Sequence, residues 1–112
     1  MSKIKIKMPY ELDELTKNVP DLILNQDKIV QIDIKIDELI PSSDLEMNQK
    51  IAQKANIDVN ELLSRPDYQI LVDQFSTDLF KDIVGISTSY GFSEIQAWSL
   101  IALDFGYITN EF

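Results

Sequence analysis

Apolar and polar residues alternate at two places in the first third of the chain. Ile4, Ile6 and Met8 interleave with Lys3, Lys5 and Lys7, and Val30, Ile32, Ile34 and Ile36 interleave with Gln31, Asp33 and Lys35. A period of two sorts residue classes onto the two faces of a strand. The pattern therefore predicts a small two-stranded antiparallel sheet over about 3–8 and 28–36, with the lysine row facing Gln31 and Asp33. Between the strands, Pro9 opens a short helix through Leu12 and Leu15 that closes before Pro20. Two strands alone are marginal in water, so helices are required to cover their apolar face.

Further along, the period changes to three and four. Ser43 with Glu46, Asp58 with Glu61 and Ser93 with Gln96 have the spacing of capping boxes, and each precedes an apolar run at helical spacing. The first start places Met47, Ile51 and Ala55 on one face, and the second leads a short turn through Leu62 and Leu63. Pro66 marks the start of a long amphipathic helix, about 66–88, which ends by Gly91. Its stripe of Tyr68, Leu71, Val72, Phe75, Leu79, Ile83 and Ile86 stands opposite Asp67, Asp78 and Asp82. The last helix, about 93–106, gathers Ile95, Ala97, Trp98, Ile101, Ala102 and Phe105 on one face, yet Leu100 and Leu103 fall on the other, beside Gln96 and Ser99. A helix apolar most of the way round is either central to a core or covered by a partner. Together these elements predict one α+β domain over residues 1–112: the N-terminal sheet packed against a mainly helical C-terminal part.

Composition agrees with a single ordinary globular unit, since 45% of the 112 residues are apolar and 26% charged. The abundance of isoleucine, and of lysine over arginine, is the bias of AT-rich coding DNA and points to a low-GC bacterium or its phage. Charge changes the picture more. The net charge is −9, and residues 56–112 hold nine acids against two bases, Arg65 and Lys81. Arg65 is the only arginine, so a bidentate grip on phosphate or a base edge is available at one place at most, and binding to nucleic acid is disfavoured. The basic start lacks the apolar stretch of a signal peptide, and the longest apolar run, Leu100 to Leu103, is too short to cross a membrane. A cytoplasmic protein is expected.

Candidate chemistry is sparse. There is no histidine and no cysteine, which removes the usual general base near neutral pH, thiolate catalysis and the commonest metal ligands. The stretch from Asp33 to Glu38 lacks the alternating carboxylates and central glycine of a calcium loop, and no glycine-rich phosphate loop or nucleophile elbow occurs. Asp78 and Asp82, one helical turn apart, fit a solvated face better than an acid–base pair. No catalytic, metal or cofactor residue is assigned, and no small-molecule substrate is expected. Residues 49–65 have the rhythm of a helix-turn-helix, with Ala52 for close packing and Asn56 for a left-handed turn, but the second helix would present Asp58 and Glu61 against Arg65 alone.

The leading expectation is a non-enzymatic accessory protein that binds another protein, or itself, through the last helix, with Leu100, Leu103, Gln96 and Tyr107 at the contact. The alternative is an acidic inhibitor of a nucleic-acid-handling protein, of the DNA-mimic, anti-CRISPR, antitoxin or immunity kind, whose binding face holds Asp67, Asp78 and Asp82. A helix-turn-helix-like regulator is the third reading.

Overall fold

The computed structural model describes residues 7–109, and every regular element among them is a helix. The order is α1 (Leu12–Lys17), α2 (Val19–Ile23), α3 (Gln26–Leu39), α4 (Asp44–Ala55), α5 (Val59–Ser64), α6 (Tyr68–Ser89) and α7 (Glu94–Asp104). No strand occurs among the described residues, so the fold is helical and the expected α+β sheet is not formed. Residues 3–6 of the first expected strand lie outside the described residues, and Lys7 and Met8 belong to no regular element.

The second expected strand, 28–36, lies inside α3. The buried residues of that helix are Ile29, Ile32 and Ile36, spaced three and four apart, whereas the alternating Val30 and Ile34 are about half exposed. Adjacent Ile29 and Val30 already break the alternation. A helix bonds its own backbone groups, whereas a strand with no neighbour beside it would leave them unpaired. The short helix expected to close before Pro20 is instead two. Pro20 sits in the first turn of α2, where its missing N–H is no loss, and Asn18 joins the pieces by donating its side-chain amide to the Glu14 carbonyl at 2.9 Å.

The caps fall where the spacing places them. Ser43 accepts from the Glu46 N–H at 3.1 Å, and Ser93 with Gln96 forms a complete capping box. Asp58 accepts instead from the Asn60 N–H, one residue short of a box. Asn56 takes the left-handed conformation at the end of α4 (φ 59°, ψ 45°), so the turn of the expected helix-turn-helix exists. Its second helix, α5, has six residues and is anchored by fully buried Leu62 against α4 and α6.

The 22-residue helix α6 is the shared spine. Its first half closes one core with Met47, Ile51, Ala52, Leu62 and Val72. Its second half closes another, in which Leu79, Phe80 and Ile83 meet Ile29, Ile32 and Ile36 of α3 and Leu100 and Ile101 of α7. A satellite cluster of Leu15, Val19, Ala102 and Ile108 seats α1 and α2 on α7. Two cores strung along one rod make the molecule elongated, 46 × 25 × 21 Å with a radius of gyration of 15.4 Å, against about 13 Å for a compact chain of this length. Helix α7 is thus apolar all round because it is central: α6, α1 and α2 all pack on it. None of the helices is long and apolar enough to cross a membrane.

Candidate binding groove between two helices

Helices α3 and α7 both lie on α6, and their backbones do not pack on one another. The gap between them is a groove in two compartments. The first, about 410 Å³, is walled by Leu22, Ile23, Gln26 and Ile29 on one side and by Leu100, Leu103, Asp104 and Ile108 on the other. The second, about 380 Å³, lies between Asp33, Ile36, Asp37 and Ile40 on α3 and its flank and Asp104 and Phe105 at the end of α7. Asp104 lines both, so the compartments adjoin at that residue. The α3 wall, residues 26, 29, 33, 36 and 40, recurs every three or four positions, as one flank of a helix must. Apolar surface continues beyond the rim: Ile23 is 45% exposed and Leu24, at the corner between α2 and α3, is 82% exposed.

The acidic compartment has unusual electrostatics. Burial and the nearby Asp33 and Asp37 carboxylates push Asp104 up to about 7, although much of the residue is exposed. Asp33 is also raised, chiefly by burial, with a hydrogen bond from Asp104 working the other way and the charge of Asp37 adding to the rise. Two carboxyl groups this close favour sharing a proton over holding two full charges. One oxygen of Asp33, Oδ1, is buried and receives no hydrogen bond. Among the described residues no ion pair reaches Asp33, Asp37 or Asp104. The lysines of α3 are turned elsewhere: Lys35 lies 5.2 Å from the centre of the Tyr90 ring, and Lys28 reaches toward Gly91.

The residues expected to bind a partner are scattered. Leu100, expected on an exposed face, is 2% exposed and forms the floor of the groove, while Leu103 is half-buried in its wall. Gln96 is committed to the capping box, donating its backbone N–H to Ser93 Oγ and accepting the Ser93 N–H at 2.9 Å. Tyr107 is exposed just past the end of α7. Just before α6, Asp67 is gripped by the Arg65 guanidinium through contacts of 2.9 and 3.2 Å, which holds its carboxyl below the usual range, and on α6 Asp78 accepts from Lys54 at 3.0 Å. Asp82 is exposed. Two of the three carboxylates on that face are therefore already neutralised by neighbours.

Asp33 and Asp37 entered the sequence reading only as part of an expected strand and of a rejected calcium loop, and the α2–α3 corner was not singled out. The legible signal was Asp104, the only charge in the last two turns of an otherwise apolar helix; read at helical spacing, Asp33 likewise falls between Ile29 and Ile36 on one flank of α3. Two further grooves exist. One of about 510 Å³ lies between Phe80, Trp98 and Lys81 and is lined at one end by Lys7, the first described residue. A smaller one, about 180 Å³, is bridged by the Lys54–Asp78 pair. Among the described residues no group of three or more Asp or Glu is arranged to hold a metal ion. The chain matches no protein-family model, no curated protein and no solved structure.

Proposed function

We propose that this is a non-enzymatic, cytoplasmic accessory protein that receives a helical segment of another protein in the groove between α3 and α7. The observation that carries this reading is the groove itself, two compartments between α3 and α7 that share Asp104, with half-exposed Ile23 in its wall and exposed Leu24 next to it in the chain. Grooves of this shape take amphipathic helices by their apolar residues at three- and four-residue spacing. Large apolar side chains left exposed beside a concavity are also a more informative sign than single ones elsewhere. The contact proposed here keeps Leu100 and Leu103 but moves their role, with Leu100 as floor and Leu103 as wall.

The test uses the tagged full-length protein recovered from the cells that naturally produce it, with its mass measured by light scattering. The unaltered chain should emerge in a complex of defined stoichiometry. Ile23→Ser/Leu24→Ser should emerge alone with its melting temperature little changed, and Leu63→Ser/Ile70→Ser, equally exposed but on the other core, should keep the complex. Loss of the complex in both variants, or in neither, contradicts the groove as the docking site.

A further inference from the structure

We propose that the groove between α6 and α7 is a docking site for the chain's own residues 1–6, with Ile4 and Ile6 as the side chains that enter it. The groove, about 510 Å³, is lined by α6 residues from Asp73 to Lys81 and by Trp98 of α7. Its lining is mostly apolar: Phe80 is buried, and the half-buried Trp98 ring stands 6.2 Å from the Phe80 ring. Lys7 and Pro9 line it too, so residues 1–6 join the described chain at the edge of the groove.

Reach, pattern and charge select this occupant. Six residues of chain span at most about 20 Å, and the α6 wall from Asp73 to Lys81 is about 12 Å long at the rise of a helix. In the segment Ile4 and Ile6 are separated by Lys5 and preceded by Lys3, so apolar groups are available to the aromatic pair and charged ones to water and to α6. The segment holds two lysines and no acid, whereas α6 holds Asp73, Asp78 and Asp82 against Lys81 alone. Attachment at Lys7 adds the last advantage, because a tethered segment meets the groove at an effective concentration in the millimolar range, which a free segment of the same make-up must match to compete. A second copy of this chain is a poor occupant, because each copy brings a net charge of −9. The contact is a strap from residues 1–6 to α6, the helix that both cores share.

Trp98 is the only tryptophan of the chain, so its emission reports directly on this groove. In the purified full chain, Ile4→Ser/Ile6→Ser should move that emission to longer wavelength and raise its quenching by acrylamide at least twofold. Ile23→Ser/Leu24→Ser, at the other groove, should change neither. A photo-cross-linking amino acid at position 4 supplies the second measurement: on irradiation the main adduct should lie within one chain, joining position 4 to residues 73–81 or to the turn of α7 around Trp98. If the serine pair fails to fold, the adduct decides. Unchanged Trp98 emission in a folded serine pair overturns the proposal, as does an adduct elsewhere in the chain, an adduct between two copies, or no adduct. Ile23 and Leu24 take no part in this contact, so its failure would leave the groove between α3 and α7 standing as a docking site.

Discussion

Leu100 shows how one residue changes meaning between a helical wheel and a packed molecule. On the wheel it stands opposite Trp98 and Ile101; in the fold α7 is surrounded, and Leu100 is 2% exposed. Leu100→Ala should cost about 2–5 kcal/mol, as large-to-small changes in cores do, and Leu100→Glu should prevent folding. A thermal melt followed by circular dichroism decides this, and a Glu variant that melts near the parent temperature would show that α7 is not central. Asp104 makes a second prediction at this scale. Its folded pKa, about 7, and that of Asp33 lie above the ordinary aspartate range, so the folded chain binds protons that the unfolded chain has released. Stability should therefore rise as pH falls through 7 toward about 5. Asp104→Asn should remove much of that slope and raise the melting temperature at pH 8. A melting temperature that falls on mild acidification, with no difference between parent and variant, would contradict the paired carboxyls.

At the scale of elements, α4, α5, α6 and α7 were legible from a cap or a proline at their starts, whereas α2, whose Pro20 read as an end, and α3, which has neither, were not. Ser43, Asp58 and Ser93 mark α4, α5 and α7 because a hydroxyl or carboxylate at that place accepts one of the first unpaired N–H groups. Helix α3 begins at Asn25, whose side chain bonds backward to the Asp21 carbonyl rather than forward. With no cap to read, the run of isoleucines at every second position suited a strand as well as a helix. The partner strand could not arbitrate, and the groove went unseen with it: Asp33 and Asp37 face α7 only when residues 26–39 are helical. Asn56 supplies the element-scale test. Left-handed backbone costs ordinary residues about 1–2 kcal/mol, so Asn56→Val should destabilise by about that much and Asn56→Gly should not. Equal melting temperatures for the two would mean that α4 ends differently.

Across the whole molecule, α4 and α5 pack on each other and on α6 but on no other helix among those described, so the core around Met47 and Val72 is separate from the one beneath the groove. Met47 is 1% exposed, and Met47→Ala should cost about 2–5 kcal/mol concentrated in that distal core. Amide hydrogen exchange should then show faster opening in α4, α5 and the first half of α6, with α3 and α7 still protected; uniform loss of protection would show the two cores to be one cooperative unit. The separation implies that the groove can be built and occupied at one end while the other end holds only itself. The most direct test replaces Ile23, at the groove mouth, or Leu63, on α5, with a photo-cross-linking amino acid in the producing cells. This account requires a single discrete adduct joining position 23 to a helical segment of another protein, and none from position 63. No adduct from position 23, or the same adduct from both, would contradict it.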